Sequence, residues 1–337
     1  MNSSNLRSIE RDNILICRIC YKKLGIAASY GNNLKNRILP KPTIVSFLLF
    51  NGFSMQLPFF LAKRFVAGED FPQAAPKVRE LNDKGISVTL DLLGENVTER
   101  ETADATTTEY CELLDGIAEQ KLDATISIKL TMLGLDIDTE YCRQNLFTLL
   151  DKARERDQFV RIDMEGSDYT QRTLDLFFDA RKEYGRHVGI VIQAYLYRSR
   201  EDIAALVKDN ADVRLCKGAY NEPPSLAYKN MADIRAVFKE YATELIKGTD
   251  FTRIATHDDH LIEWTKQFAE QNDIPKDKFE FQLLYGLRLS TCENLVDEGY
   301  RVRVYVPYGT MWLPYFSRRL RERKENIWFI LSNMFRK

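Results

Sequence analysis

Side chains able to do chemistry recur through the chain, each at or just beyond the end of a short apolar run. They are carboxylates, lysines, amides, an arginine, a histidine and a tyrosine: Asp91, Glu95, Lys129, Asp163, Glu165, Gln193, Arg214, Lys217, His257, Asp258, Gln282 and Tyr305. Such groups bind charged ligands, stabilise developing charge or transfer protons. Because such a group stands at the end of each of eight successive runs, we predict that they form one catalytic ring.

Two lysines leave the type of chemistry open. A buried Lys129 or Lys217 can form a Schiff base, as in aldolases, or supply fixed positive charge to an anionic substrate or cofactor. Only three histidines are present. His257 and His260 stand close together, but the third is predicted at the opposite end of a strand, so no metal site is expected.

The apolar runs predict the strands that position these groups. The runs cover residues 87–92, 125–130, 159–164, 189–195, 213–216, 253–256, 279–284 and 302–306. Segments with helical length and periodicity separate them. This alternation predicts an α/β fold, a (β/α)8 TIM-like barrel with its chemistry at the carboxyl ends of the strands. A doubly wound open sheet is the alternative, but no G-x-G-x-x-G fingerprint follows the first strand.

Capping signals predict where three of the intervening helices begin. Thr98 with Glu101 and Ser199 with Asp202 have capping-box spacing, and Asp168 precedes an apolar run. We therefore expect Thr98, Ser199 and Asp168 to accept hydrogen bonds from the first N–H groups of those helices.

Four residues near the C-terminus share one face of a predicted helix. Tyr315, Arg318, Arg319 and Glu322 stand at positions i, i+3, i+4 and i+7. Because this helix follows the eighth strand, its two guanidinium groups are expected to clamp a carboxylate at the ring. Apolar walls are expected from Tyr195, Tyr220, Tyr285, Tyr305 and Tyr315. The pattern indicates a small carboxylate ligand with an apolar body.

The first 61 residues are predicted to be a separate segment. Residues 1–43 carry eight basic and two acidic side chains, and residues 44–62 carry no charge. Polar residues, a glycine and a proline interrupt the uncharged run, so it is a poor membrane-spanning helix. We predict a basic arm and an apolar segment, helical or partly disordered, over 1–61. This segment packs on the main domain or, alternatively, rests on a membrane surface. The barrel domain then covers 62–337.

Composition, net charge and cysteine content narrow the class of protein further. The chain has 337 residues, of which 45% are hydrophobic and 29% charged, a globular profile. A formal net charge of −1 indicates no nucleic-acid partner. Six cysteines show no disulfide framework and no export signal accompanies them, which predicts a cytoplasmic location.

Six segments resemble the proline dehydrogenase family. They are S-I-K-L at 127–130, V-I-Q-A-Y at 191–195, R-L-C-K-G-A-Y at 214–220, A-T-H-D at 255–258, F-E-F-Q at 279–282 and Y-x-x-R-R-x-x-E at 315–322. The resemblance runs in order from about residue 62 to the C-terminus, and it is greatest to the short, monofunctional bacterial enzymes.

The resemblance implies an FAD enzyme that oxidises L-proline to Δ1-pyrroline-5-carboxylate by hydride transfer to flavin N5. This is the first step of proline degradation to glutamate. Membrane quinone is then the electron acceptor, with peripheral contact at the inner face of the membrane. A separate pyrroline-5-carboxylate dehydrogenase would take the product.

The resemblance also assigns residues to roles. The catalytic positions are Lys129, Asp163, Arg214, Tyr305, Arg318 and Arg319. Proline contacts are Lys129, Arg318 and Arg319 at the carboxylate, and Tyr220, Leu284, Tyr305 and Tyr315 around the ring. FAD contacts are Asp163, Gln193, Arg214, Lys217, Gly218, Ala219, Lys229, Thr256, His257, Gln282 and Glu322. Glu95 is expected to pair with Arg318 as a gate over the site.

Overall fold

The computed structural model describes residues 62–322, with side chains as far as Ser317. This part of the chain contains eight strands and nine α-helices. In chain order they are α1 (Phe71–Asn82), β1 (Ser87–Leu92), α2 (Arg100–Glu119), β2 (Ala124–Ile128), α3 (Thr139–Glu155), β3 (Val160–Ile162), α4 (Ser167–Tyr184), β4 (Val188–Gln193), α5 (Ser199–Lys208), β5 (Val213–Cys216), α6 (Met231–Gly248), β6 (Thr252–Ala255), α7 (Asp259–Gln271), β7 (Phe279–Leu284), α8 (Leu289–Asp297), β8 (Arg301–Tyr308) and α9 (Trp312–Glu322). None of these helices is long and apolar enough to cross a membrane.

The eight strands form a closed parallel barrel in sequence order. Closure occurs where β8 pairs with β1, in a register that places Tyr305 opposite Thr89. Because all the strands are parallel, their carboxyl ends meet at one end of the barrel, called the mouth below. The predicted (β/α)8 barrel is confirmed.

The helices cover the outside of the barrel because their apolar residues fall on one face. In α3 the buried face includes Leu146, Leu149 and Leu150, and β4 is buried along its whole length. Asp138 begins α3 by accepting a hydrogen bond from Tyr141 N at 2.8 Å. Amphipathic helices against apolar strands give the main core of the domain.

The inside of the barrel is polar at its amino end, opposite the mouth. Arg161, Arg253, Glu280 and Arg303 point inward from β3, β6, β7 and β8 and are almost fully buried. Glu280 accepts hydrogen bonds from Arg253 Nη1 at 2.5 Å and from Arg303 Nε at 2.9 Å. Asp212 accepts from Arg253 Nε and Nη2, each at 2.8 Å. An ion-pair network therefore fills this end instead of layers of aliphatic side chains.

The predicted strands are confirmed, with shifts at their ends. β2 and β3 end earlier than expected, so Lys129 and Asp163 lie just beyond them. β8 continues through Pro307 to Tyr308. Its pairing with β1 persists around the proline because Tyr308 O accepts a hydrogen bond from Leu93 N at 2.8 Å. The N-terminal segment predicted over 1–61 lies outside the described residues.

The capping predictions were wrong in each case. Helix α2 begins after Glu99 without a side-chain cap. The hydroxyl of Ser199 donates to Gln193 O at 2.7 Å instead of capping α5. Helix α4 begins at Ser167, whose N–H donates to the distant Glu222 Oε1 at 2.8 Å. A tertiary contact therefore replaces the local cap expected from Asp168.

Candidate active site

Two buried charges of opposite sign meet at the mouth. Asp91 lies near the end of β1 and Lys129 directly follows β2. Lys129 Nζ donates to Asp91 Oδ1 at 2.8 Å, with both side chains buried. Burial raises the pKa of Asp91, although the charge of Lys129 opposes this. Burial alone would lower the pKa of Lys129, but Asp91 and Asp163 outweigh it and the pKa is raised. The two carboxylates therefore favour the ammonium form of Lys129.

Asp163, just beyond β3, contacts side chains of β2, β5 and β8. Its Oδ1 accepts from Arg214 Nη1 at 2.8 Å and from the Ser127 hydroxyl at 3.0 Å. Its Oδ2 accepts from the Tyr305 hydroxyl at 2.7 Å. These residues and the Asp91–Lys129 pair are called the charge cluster below. It places an ammonium, a guanidinium and a phenol at the mouth, with two carboxylates to balance the two cations.

Arg214 and Tyr305 pack against each other in this cluster. The guanidinium carbon of Arg214 lies 5.3 Å from the centroid of the Tyr305 ring. Burial raises the pKa of Tyr305 well above its ordinary value, and the charges of Asp163 and Asp91 raise it further. The hydroxyl therefore stays protonated and continues to donate to Asp163.

Gln193 holds two loops of the mouth together. Its Nε2 donates to Glu165 O at 2.9 Å, and its Oε1 accepts from Ala219 N at 3.0 Å. Gly218 next to Ala219 has φ +124°, and a Cβ atom there would lie 2.2 Å from Tyr195 Cδ1. Glycine is therefore required, and it allows the chain after β5 to approach the end of β4 closely.

Lys217 belongs to a second ion-pair group at the mouth. It donates to Asp258 Oδ2 at 3.0 Å, and Arg235 Nε donates to the same oxygen at 2.8 Å. Burial would raise the pKa of Asp258, but Arg235 and Lys217 lower it to about 2. Asp258 also caps α7, since its Oδ1 accepts from His260 N at 3.2 Å.

Lys229 lies in the long loop between β5 and α6. Its ammonium donates to the backbone oxygen of Glu222. The Glu222 carboxylate accepts from Ser167 N at 2.8 Å and from the Ser167 hydroxyl at 2.5 Å. This loop is therefore fastened to the start of α4.

Three predicted cofactor residues, two directly after β6 and one within β7, have polar contacts at the mouth or just below it. The Thr256 hydroxyl accepts from Asp258 N at 3.1 Å. His257 Nε2 accepts from Leu284 N at 3.0 Å. Gln282 Nε2 donates to Glu280, so the amide is held by the ion-pair network inside the barrel.

Apolar residues of the predicted substrate pocket lie on one side of the mouth. Tyr315 and Trp312 on α9 are buried in a cluster with Phe65 and Phe316, and Leu284 packs against it. Tyr220 is half-buried on the β5–α6 loop, where its backbone oxygen accepts from the Tyr195 hydroxyl at 3.1 Å.

Four predicted residues are placed less fully. Arg318, Arg319 and Glu322 lie on helix α9, as expected, but their side chains are outside the described part of the chain. Glu95 is exposed on the β1–α2 loop. Its predicted pairing with Arg318 therefore stays a prediction.

Residues at the mouth suit a flavin cofactor. Arg214 Nε is buried and has no hydrogen-bond acceptor among the residues that the structure describes, so a buried donor is available to a bound group. The close approach of Gly218 leaves room for no side chain there. Lys217 and Arg235 supply positive charge nearby. A buried donor, a close glycine approach and fixed cations fit a flavin cofactor.

Sequence reasoning did not assign roles to several residues of the site. Ser127 and Asp91 belong to the charge cluster, and their positions near the ends of β2 and β1 were the available signal. Glu222 and Glu280 act through contacts with distant residues. No local pattern identifies such partners.

The fold and the paired charges at its mouth define a (β/α)8-barrel enzyme. A sequence model of the family described as proline dehydrogenase matches residues 74–330. Proline dehydrogenase 2 of Bacillus subtilis (strain 168) is 44% identical over 276 residues, covering 82% of this chain and 91% of the relative. Proline dehydrogenase of Deinococcus radiodurans is 38% identical, covering 82% and 90%. The chain belongs to the proline dehydrogenase family, and it is an oxidoreductase.

Solved structures agree with this assignment. Proline utilization A from Bdellovibrio bacteriovorus, inactivated by N-propargylglycine, matches with a TM-score of 0.73 and 27% identity. The match covers 78% of this chain and 32% of that structure. Proline utilization A from Corynebacterium freiburgense matches with a TM-score of 0.67 at 21% identity, which supports the fold alone. The chain spans about a third of the length of these larger proteins.

Proposed function

We propose that this protein oxidises L-proline to Δ1-pyrroline-5-carboxylate with FAD as its cofactor, the first step of proline degradation. The observation that carries the proposal is the charge cluster. It sets Lys129 and Arg214 at one barrel mouth, each paired with a carboxylate at 2.8 Å. Family membership supports the same reaction.

Substrate orientation is the main task of the protein in this proposal. The Lys129 ammonium binds the proline carboxylate, together with Arg318 and Arg319 of α9. Tyr305 and Leu284, with Tyr220 and Tyr315, enclose the ring. Three cations on one carboxylate fix the ring in a single orientation, which lowers the entropic part of the barrier.

The reacting bond needs no nucleophile from the protein. FAD, when bound, supplies a hydride acceptor at N5 for the hydride that leaves C5 of proline. The residues proposed to line FAD are Asp163, Gln193, Arg214, Lys217, Gly218, Ala219, Lys229, Thr256, His257, Gln282 and Glu322. Arg214 lies beside the reacting edge of the cofactor in this assignment. Its guanidinium is held by Asp163.

Proline loses hydride only when its ring nitrogen is neutral. The rate of flavin reduction at saturating proline is therefore expected to rise with pH. Stopped-flow measurement of flavin bleaching checks this, and a flat profile would contradict hydride transfer from the neutral amine.

A Schiff-base aldolase was the alternative, and the ion pairs make it the weaker proposal. A Schiff-base lysine has to be an unprotonated amine. Lys129 is paired with Asp91 and its pKa is raised. Lys217 is paired with Asp258. Both contacts favour a role as fixed positive charge.

Electrons are proposed to pass to a membrane quinone through peripheral contact of the mouth with the bilayer. Six large apolar side chains of the described residues are exposed, and all lie in segments that follow strands β4, β5, β7 and β8. They are Tyr197, Leu226, Met231, Leu289, Met311 and Leu313. These six exposed side chains, called the rim below, suit contact with an apolar acceptor.

Vesicle binding tests this contact. Met311→Ser with Leu313→Ser is expected to weaken co-sedimentation with lipid vesicles and to slow reduction of a long-chain quinone. Reduction of a water-soluble dye should be unchanged. Equal loss with both acceptors would contradict docking through the rim, and deletion of residues 1–61 tests the basic arm separately.

Two further assignments complete the proposal. Glu95 gates the site by pairing with Arg318 when proline is bound. The product passes to a separate pyrroline-5-carboxylate dehydrogenase. Relatives described as bifunctional protein PutA are much longer, and the match covers only 24% of the Escherichia coli protein.

The visible spectrum under anaerobic conditions tests the proposed reaction directly. Purified protein is expected to show flavin bands that bleach when L-proline is added. Flavin bands that do not bleach when proline is added would show that proline is not the substrate. A protein that is colourless and cannot take up FAD would overturn the proposal.

A further inference from the structure

Asp91 has no role in the reaction proposed above, yet it makes the closest contact to one of its cations. It is 1% exposed at the mouth end of β1. Its carboxylate accepts a hydrogen bond from the Lys129 ammonium at 2.8 Å, and the Tyr305 hydroxyl is a further side-chain partner. Burying a carboxylate this deeply costs free energy unless the carboxylate is paired with a cation.

We propose that Asp91 is a positioning residue that keeps Lys129 charged and directed at the substrate carboxylate. This inference rests on the proposed function, because it assigns Lys129 to that carboxylate. An ammonium has three N–H donors, and Asp91 takes one of them. The remaining donors are left for a ligand at the mouth.

The surroundings of Lys129 show why a dedicated partner is needed. Lys129 is 8% exposed, and burial by itself disfavours an ammonium. The other acids whose charges act on it are Asp163 and Glu165, which follow β3. Arg214 of β5 and Tyr305 of β8 contact Asp163. Asp163 is already engaged by Arg214, Ser127 and Tyr305. Glu165 is engaged by the backbone and hydroxyl of Thr131. Asp91 is therefore the nearby acid that forms an ion pair with Lys129.

Ligand binding by an Asp91→Asn variant tests the proposal. The probe is tetrahydro-2-furoic acid, which keeps the ring and carboxylate of proline but has an ether oxygen in place of the reacting amine. Its binding to the flavin-loaded protein is measured by calorimetry from pH 6 to pH 10. The probe does not titrate in this range, so a difference in pH dependence between variants comes from the protein.

The variant is expected to bind the probe about ten- to a hundredfold more weakly at the alkaline end, with a smaller loss at pH 6. Without Asp91 the lysine loses its proton at a lower pH, so affinity falls as pH rises. The unmodified protein should hold its affinity over more of the range. With proline, the KM should rise much more than kcat falls. A loss that is the same at every pH, or no loss, would overturn the proposal.

Asp212→Asn is the matched control. It makes the same change in a half-buried, ion-paired aspartate, but at the amino end of the barrel beside Arg161 and Arg253. It is expected to lower stability and to leave the pH profile of probe binding unchanged. If Asp212→Asn reproduces the profile of Asp91→Asn, the effect is general and the proposal fails.

A double variant keeps the test decisive if Asp91→Asn does not fold. Lys129→Met with Asp91→Asn removes both charges and leaves no unpaired ion. Because Asp91 acts through Lys129, the double variant should bind the probe as weakly as Lys129→Met alone. Weaker binding by the double variant would show an independent role and contradict the proposal. Failure of the unmodified protein to bind flavin would instead contradict the proposed function.

Discussion

At the scale of single residues, the site is built from charges that are buried in pairs. Lys129 and Arg214 each have a carboxylate within 2.8 Å. Removing one member of such a pair leaves the other charge uncompensated, which typically costs about 3–5 kcal/mol. The paired carboxylates therefore stabilise the two cations in fixed positions before a substrate binds.

The hydroxyl of Tyr305 can be tested in isolation. Tyr305→Phe removes the donor to Asp163 Oδ2, which lies 2.7 Å away, and keeps the ring over Arg214. We expect kcat/KM for proline to fall by about ten- to a hundredfold, since one hydrogen bond to a charged group contributes about 1.5–3 kcal/mol. Flavin reduction by proline is the measurement. Tyr308→Phe is the control on the same strand and should have little effect, and equal losses would contradict the assignment.

At the scale of elements, four strands share the ion-pair network inside the barrel. Glu280 of β7 joins Arg253 of β6 to Arg303 of β8. It also holds Gln282, two residues further toward the mouth. The network therefore connects the amino end of the barrel to a residue of the candidate site.

This network predicts how stability depends on pH. Burial would raise the pKa of Glu280, but Arg303 and Arg253 lower it from 4.5 to about 2. A lowered carboxyl pKa stabilises the fold above the unfolded value, and this contribution is lost as pH falls from about 4.5 to about 2. Glu280→Gln should lower the free energy of unfolding by about 3–5 kcal/mol at neutral pH. The free energy of unfolding of this variant should then fall less steeply as pH falls from about 4.5 to about 2.

Urea unfolding at several pH values measures both effects. The exposed Glu270 on α7 supplies the control, because Glu270→Gln should change neither the stability nor its pH dependence. An unchanged acid profile in Glu280→Gln would contradict the role given to the network.

At the scale of the whole domain, the segment before the barrel supports the last helix. Residues 62–68 contact loops at the mouth, where Ala67 N donates to Pro307 O at 2.9 Å and Gly309 N donates to Gly68 O at 3.0 Å. Phe65 packs with Phe316 of α9 at a ring distance of 6.2 Å. The chain entering the barrel therefore helps to place the helix that carries Tyr315.

A substitution at Gly286 tests this packing. It has φ +75°, and a Cβ atom there would lie 1.7 Å from Arg64 O. Gly286→Ala should cost about 1–2 kcal/mol for the left-handed backbone and about 1–3 kcal/mol more for displacing the segment. Gly299→Ala is the control, because it has φ +84° but its nearest neighbouring atom is 4.0 Å away. Equal losses of unfolding free energy in the two variants would show that the segment contributes nothing.

The sequence predicted much of this protein because its strongest signals are local. Alternating apolar runs and helical segments gave all eight strands and the barrel, since burial on both faces requires continuous apolar strands. The family motifs gave the proposed site residues in order along the chain. Helix starts were predicted poorly, because Glu222 caps α4 from 55 positions away.

By itself the sequence determined the order and type of the elements and the kinds of side chain at the mouth. Only the tertiary structure decided which side chains pair. Asp163 and Tyr305 are 142 positions apart, and Lys129 is 38 positions from Asp91. Periodicity shows which way a residue faces within its own element. The partner across the mouth depends on barrel closure and strand register, which arise only when all eight strands are packed together.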